Sequence, residues 1–469
     1  MNVIIFMHTL TSKGVLVRKS DLTQDQRRAI VKDLNVCPQT FQNKGRFVRD
    51  SDKFKVYMES EKSYRLPRFY ALERLGSSEK NTMPPPLTIN VPFCGTLKTR
   101  LGQDVACQKV LHALLERGGA ILSLPTGYGK TTCALYLLSC IGKKTLIIVH
   151  KDFLMSQWKE RIAQFLPQAK VGTIKQNKFD VVGKDIVVGM LQSLSQKDYT
   201  SRDFTCFGTV IIDETHHICS RTFSQAMLLH CPMYILGLSA TPERKDGLTC
   251  VLNWFVGNVE YSVKRENQSN VVVAKVAFND PSFRDPPPVS TSGTVSIPTV
   301  VNNLCAIEER NALITSCVVS LLKVGRKVII LSERRTHCST LCNSVSENAP
   351  TSSCGLYIGG MHQSQLNKNE ECDAIFATYA LAHEGLDIPS LNTLVMATPK
   401  VDVVQSCGRI LRETGVKSHG PLIVDIFDEY TCTKSQFAKR RRFYNEAGFA
   451  VVAFSLKDLD DYLHKVNAQ

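Results

Sequence analysis

No run of the sequence approaches the roughly 18 consecutive apolar residues that a membrane-spanning helix needs, so a bilayer span is not expected. The first residues, Met1 to Leu10, are apolar but have no basic stretch before them and no small-residue cleavage site, and His8 interrupts them. They read as a buried strand rather than a secretion signal. The 17 cysteines are odd in number and include no CxxC pair. That excludes a dense disulfide framework and fits reduced thiols in an intracellular, soluble protein. His337, Cys338 and Cys342 come nearest to a metal cluster but lack a fourth ligand nearby, so packed side chains are expected there. Acidic residues are the other shortage: 43 Asp and Glu stand against 57 Lys and Arg, a net charge of +14. A basic excess of this size points to a polyanionic partner, nucleic acid first among them, with a basic but inert surface the alternative that composition alone leaves open.

What is present is a chain of 469 residues with 43% hydrophobic composition, enough to bury ordinary cores and to build about three domains. Two proline-rich stretches punctuate it. Gly76 to Pro86 ends in three prolines, and Asn279 to Pro298 carries five. Proline removes a backbone donor and fixes φ, so both read as breaks. The expected organisation is an accessory module at 1–75, a linker at 76–94, a first lobe at 95–263, a linker at 264–300 and a second lobe at 301–469. Within the lobes, short β-branched runs alternate with helical patterns. Ala120–Leu124, Thr145–Val149, Asp185–Val188, Thr209–Ile212 and Tyr234–Leu238 mark the first lobe. Lys327–Leu331, Ala374–Ala377, Thr393–Met396 and Leu422–Val424 mark the second. Alternation of this kind implies α/β lobes built on parallel sheets covered on both faces, with ligands at the carboxyl ends of the strands.

Candidate chemistry falls at those ends. The run to Leu124 leads into Pro125-Thr126-Gly127-Tyr128-Gly129-Lys130-Thr131-Thr132 and then a helical pattern. Glycines let backbone N–H groups wrap phosphate oxygens, the helix start adds a favourable dipole, Lys130 reaches the β/γ-phosphates and Thr131 holds Mg²⁺. The full GxxxxGK[ST] pattern would have glycine where Leu124 stands, so this loop is a variant. The next key strand ends in Asp213-Glu214-Thr215-His216-His217. Asp213 suits the metal and Glu214 the attacking water. A solvated acidic turn would be the plainer reading, but the apolar strand and the phosphate loop weigh against it. Ser239-Ala240-Thr241 offers small hydroxyls beside the same cleft, or simply a capped turn. In the second lobe, Gln405-Ser406-Cys407-Gly408-Arg409-Ile410-Leu411-Arg412 puts two arginines at i and i+3 on one helical face, positioned to stabilise charge on a γ-phosphate. The segment Ala377 to Pro389 leaves a strand and turns at Gly385, reading as a loop into the cleft. Lys439-Arg440-Arg441-Arg442 is a basic cluster, either a phosphate grip, a solvated helix face or a localisation signal.

The order of these motifs resembles that of superfamily 2 helicases over roughly residues 95 to 450. Asp213-Glu214-Thr215-His216 is similar to the DEAH-like box, Ser239-Ala240-Thr241 to motif III and Gln405 to Arg412 to motif VI. Gly237 to Gly247, with its trailing Arg-x-Asp, and Glu384-Gly385-Leu386-Asp387 resemble the XPB/UvsW-like branch. Pro67-Arg68-Phe69-Tyr70 and Leu331 to His337 resemble helicases of large double-stranded DNA viruses of the poxvirus, asfarvirus and iridovirus type.

The resemblance implies two tandem RecA-like lobes with a small α+β N-terminal module, and ATP and Mg²⁺ as cofactors. It implies an ATP hydrolase acting on DNA, with a role in transcript release beside RNA polymerase or transcription factors in an infected cell or virion. Lys130, Thr131, Asp213, Glu214, Gln405, Arg409 and Arg412 would run hydrolysis, with Gly385 beside the nucleotide. His216, His217, Ser239 and Thr241 would couple it to nucleic acid. Either Gln103 or Gln108 would read adenine, and Lys151, Arg334 and Thr378 would grip the backbone. A duplex translocase that never separates strands and an ATPase-dead transcription scaffold are the competing readings. Intact Lys130, Glu214 and Arg409 speak against the scaffold.

Overall fold

The structure is a computed structural model. It describes all residues except 1–7, 40–52, 126, 198, 245, 264–269, 291–292, 386–387, 402, 411–418 and 468–469. For residues 225, 363, 383–385, 404–405, 409 and 467 it describes the backbone alone. The chain forms two compact units, Met1–Lys264 and Arg265–Gln469.

The first unit opens with a small module. Strands β1 (His8–Thr11) and β2 (Gly14–Arg18) form a hairpin whose sheet has the order β5-β6-β2-β1-β7. Its other strands are β5 (Met58–Glu59), β6 (Ser63–Leu66) and β7 (Lys80–Asn81), while β3 (Asn35–Val36) and β4 (Phe54–Lys55) pair separately. Helix Gln24–Asp33 begins at a capping box, with Thr23 and Gln26 exchanging side-chain and backbone hydrogen bonds.

The large sheet of this unit has the order β11-β10-β12-β9-β13-β14-β8-β15. Its strands are β8 (Gly119–Ser123), β9 (Thr145–Val149), β10 (Val171–Lys175), β11 (Lys178–Asp180), β12 (Ile186–Met190), β13 (Thr209–Ile212), β14 (Tyr234–Ser239) and β15 (Val259–Ser262). All neighbours except β10 and β11 pair in parallel. The two-residue period of a strand divides the sheet's side chains cleanly. Ala120, Leu122, Ile147, Val149, Ile211, Leu236 and Leu238 enter one core, and Ile121, Leu146, Ile148, Val210, Ile212 and Ile235 the other. That second core runs on without a break into Val15, Val17, Ile30, Tyr64 and Tyr70 of the small module.

The second unit has a seven-stranded sheet of order β18-β19-β17-β20-β21-β16-β22, parallel throughout. Its strands are β16 (Val272–Phe278), β17 (Val328–Ser332), β18 (Cys354–Tyr357), β19 (Ala374–Thr378), β20 (Thr393–Met396), β21 (Leu422–Asp428) and β22 (Ala450–Phe454). Ile329, Leu331, Ile375 and Ile423 face one core, and Val328, Ile330, Phe376 and Val424 the other.

Several sequence expectations are corrected here. The 264–300 stretch is not a free linker, because β16 lies inside the second sheet and pairs with both β21 and β22. The strand is apolar apart from Lys275, and the five prolines that follow it are what made the stretch read as a linker. The 76–94 stretch is tied down as well. β7 adds to the module's sheet, Thr88 bridges Lys143, and Ile89 N–H donates to Gly142 at 3.0 Å. The segment after β19 is a helix, Tyr379–Gly385, rather than a loop turning at Gly385. Nor is the 439–442 cluster one uniform surface. Arg440 is 2% exposed and forms a bidentate pair with buried Asp425, each contact 2.8 Å.

His337, Cys338 and Cys342 are packed side chains, and no cluster of three or more His, Cys, Asp or Glu placed to hold a metal ion occurs among the described residues. His337 bonds Ser332 Oγ and Asn311 Oδ1, both at 2.9 Å, and burial with Arg310 nearby pushes its pKa down to about 3.

Candidate active site

β13, β14 and β8 lie side by side in the first sheet, and their carboxyl ends carry three of the expected motifs. The loop after β8 reaches helix Lys130–Ile141 through Gly127 (φ 89°) and Gly129 (φ 82°), a backbone region that favours glycine. At Gly129 space is also decisive: a Cβ would come within 2.3 Å of Gln103 Nε2. Gln103 is 3% exposed, at the start of helix Gln103–Arg117. Its Oε1 accepts from Lys98 N–H at 2.8 Å, and its Nε2 donates to the carbonyl of Tyr128 at 2.8 Å. Of the two glutamine candidates, Gln103 is therefore the one built into the loop. Lys130 rests its ammonium on the carbonyl of Leu124 at 3.2 Å, a contact a phosphate oxygen could replace. Thr131 and Thr132 follow on the first helical turn, and Pro125 precedes the loop, all half-buried. Thr126 lies outside the described residues.

β13 leads straight into Asp213, which the neighbouring strand holds: its N–H donates to the Ile148 carbonyl at 3.0 Å. One carboxylate oxygen accepts from Glu214 N–H at 3.0 Å. The other accepts from the indole N–H of buried Trp158 at 2.9 Å. Burial and then the charge of Glu214 push the Asp213 pKa above the ordinary carboxylate range, while Trp158, Lys130 and His150 pull it down. Glu214 adopts φ +47°, a left-handed conformation unusual for a non-glycine residue. One of its carboxylate oxygens, Oε2, is buried without a hydrogen-bond partner and lies 3.5 Å from His216 Nδ1. An orphaned buried carboxylate oxygen suits a water or metal-bound water as its missing partner. Together with the phosphate-loop glycines, Lys130 and Asp213, these donors fit a nucleotide with a divalent cation.

The motifs are joined by backbone bonds. Thr215 Oγ1 donates to Ile212 and Leu238 carbonyls at 3.1 and 3.0 Å, linking β13 to β14. Leu124 N–H donates to Ser239 at 3.2 Å, and buried Ser239 Oγ accepts from Thr241 N–H at 3.1 Å. His217 packs against His150 with ring centroids 3.9 Å apart and against His216 at 4.4 Å. Arg244 clamps Asp246 in a bidentate pair and also donates to the carbonyl of His216. Trp158, His150 and the role of Arg244 were missed at the sequence level. Trp158 is one of only two tryptophans, but nothing in its local pattern points 55 residues ahead to Asp213.

Other expected residues fall elsewhere. Lys151 immediately precedes helix Asp152–Phe165, and Thr378 ends β19 beside Ser332. The Arg334 guanidinium is committed to Asn302 Oδ1 at 2.6 Å, Pro298 at 2.9 Å and Glu333 at 3.2 Å. Gln405 and Arg409 lie on helix Val404–Ile410, described there by backbone only, and Gly385 ends its helix. Arg412 lies outside the described residues.

The fold is that of tandem RecA-like lobes: a structure of S. cerevisiae Dbp5 bound to RNA and ADP BeF3 matches with a TM-score of 0.55 at 13% identity, covering 78% of this chain and 92% of that one. Residues 96–244 match the family described as Type III restriction enzyme, res subunit (ResIII). A protein of Acanthamoeba polyphaga mimivirus, named as an ATP-dependent RNA helicase, is 29% identical over 96% of this chain and 87% of its own length. One of Invertebrate iridescent virus 6, named as a helicase, is 26% identical over 78% and 85%. The chain is thus similar to viral superfamily 2 helicases, iridoviral ones included.

Proposed function

We propose that this protein is an ATP-driven motor on nucleic acid, a superfamily 2 helicase or translocase. The observation that carries the reading is that Lys130 follows parallel strand β8 while Asp213 and Glu214 follow β13, with only β14 between the two strands. In this reading Pro125 to Thr132 cradle the phosphates, Gln103 braces the loop beneath the base, and Lys130 leaves the Leu124 carbonyl for the β/γ-phosphates. Thr131 and Asp213 hold Mg²⁺, which when bound neutralises phosphate charge and orders water. Glu214 orients the attacking water and takes its proton. Arg409 and Arg412, helped by Gln405 and Gly385, supply positive charge to the γ-phosphate in the transition state. His216 and His217 share the turn that holds Glu214, and Ser239 and Thr241 share the strand end beside the phosphate loop, so a change at either is felt by the other. Lys151, Arg334 and Thr378 would meet the nucleic-acid backbone, with Arg334 first giving up its present partners.

The substrate we favour is DNA, with a viral transcription role beside RNA polymerase or its factors. The test is phosphate release by the wild-type chain and by Lys130→Ala, Glu214→Gln and Arg412→Ala, without nucleic acid and with single-stranded DNA, duplex DNA and RNA. Turnover should fall by 10³-fold or more in the arginine variant, on the order of an arginine finger, and Glu214→Gln should bind ATP without turning it over. Undiminished turnover in any of the three would sink that assignment. Triplex displacement without strand displacement would select a duplex translocase.

A further inference from the structure

The N-terminal module carries a feature that hydrolysis does not use. An open groove of about 550 Å³ is lined by Arg27, Arg28, Val31, Lys32, Asn35, Lys53 and Tyr64. Four of the seven are cationic and none is acidic. They come from helix Gln24–Asp33, from Asn35 on β3, from Lys53 ahead of β4 and from Tyr64 on β6. A solvated basic helix face would be convex and would alternate its charges. This one is concave, and the nearby carboxylates among the described residues lie outside it. Asp33 is engaged by Tyr70 and Arg74 at 3.2 and 3.4 Å. Glu59 is held by Lys19 at 2.8 Å, and the largely exposed Asp25 reaches Arg28 only at 3.7 Å. Arg27 donates to the Lys19 carbonyl, yet its Nε is buried with no acceptor. Concentrating cations in a concavity, with one donor already shielded from water and unmatched, favours an anionic occupant that brings several acceptors.

We infer that this groove is a second nucleic-acid site, which grips the sugar–phosphate backbone independently of the ATP-dependent strand path. The volume of the groove, the spread of its cations along a ten-residue helix and the exposed apolar side chain of Val31 suit consecutive phosphates with sugar between them better than one free phosphate. Its chemistry is without sequence preference, because phosphates position and only base edges specify. The site rests on the motor reading only for its purpose, that of keeping the protein on the polymer while the strand path opens. Its existence does not depend on hydrolysis.

The test uses the full chain and the double variant Arg28→Ala/Lys32→Ala, both exposed positions whose loss leaves the helix cap and core intact. Binding of fluorescent duplex DNA, single-stranded DNA and RNA is followed by anisotropy across salt concentrations, without nucleotide. The expected result is several-fold weaker binding. The slope of log affinity on log salt should be shallower by about two for duplex DNA, one for each lost phosphate contact. Basal ATPase should be unchanged, with more nucleic acid needed for half-stimulation. Wild-type affinity and slope in the variant would overturn the groove while leaving the motor intact. Groove-dependent binding in a wild-type protein whose ATPase no polymer stimulates would overturn the motor and keep the groove. Displacement of the probe by inorganic phosphate or polyglutamate at equivalent charge, as readily as by nucleic acid, would also overturn it.

Discussion

Asp213 sits at the end of a buried strand with a second carboxylate as its chain neighbour, and both raise its pKa. The sign of the consequence follows from linkage. A carboxyl whose folded pKa is raised contributes favourably below its unfolded pKa, about 3.9, and loses that contribution as pH climbs through the folded value. Above that value the unliganded fold carries an ionised group it would rather not bury. Asp213→Asn keeps an oxygen for the Trp158 N–H but removes the charge. It should raise the melting temperature at pH 7–8, by roughly 2–4 °C for each kcal/mol relieved in a chain this large, while abolishing ATP hydrolysis. The gain should shrink as pH falls toward 4. A variant that melts at or below wild type at pH 8 would show that Trp158, Lys130 and His150 already compensate the charge in full.

At the scale of elements, helix Thr431–Glu446 shows how a run of like charges divides by face. Arg440 and Tyr444, four residues apart, point inward together, and both bond Asp425 on β21. Arg440 also donates to the Lys400 carbonyl at 2.9 Å, so one side chain ties the helix, the strand and the turn after β20. Arg442 points outward and pairs with Glu446 at 2.8 Å, both well exposed. Arg440→Met would leave the buried Asp425 charge with no cation and only the Tyr444 hydroxyl, costing roughly 3–5 kcal/mol, whereas Arg442→Ala should change stability by less than about 0.5 kcal/mol. Urea denaturation followed by circular dichroism measures both. Equal effects would return the cluster to a uniform surface patch.

At the scale of the whole chain, the small N-terminal module does not stand apart from the first large sheet. Tyr70 meets Trp254 edge-on at 5.3 Å, Phe69 packs where a Cβ on Gly119 would collide at 2.1 Å, and Arg68 donates to Met233 at 2.9 Å. Gln39 N–H donates to the carbonyl of Asp246 at 2.8 Å, beside the Arg244 clamp. A chain starting at residue 95 keeps the whole phosphate loop and acidic box but uncovers Trp254 and Phe255. It should melt below the full-length protein and bind an apolar dye in its native baseline. Identical melting would mean that the module is a separate domain, as its sequence position suggests.

The sequence by itself determined the alternation of buried strands and helices, the phosphate loop, the acidic box and their chain order. Those signals are local: a run such as Val210 to Ile212 must be buried whatever surrounds it, and Gly129 needs its backbone freedom wherever the loop lies. Tertiary structure decided the rest. It brought Trp158 to Asp213, tied Gln103 to the phosphate loop, drew β16 into the second sheet and turned Arg440 inward while Arg442 stayed out. Each of these depends on a partner tens of residues away, chosen by which buried donor or charge most needs an acceptor. No local pattern of residues encodes that choice, because desolvation acts only once the chain has closed around both groups.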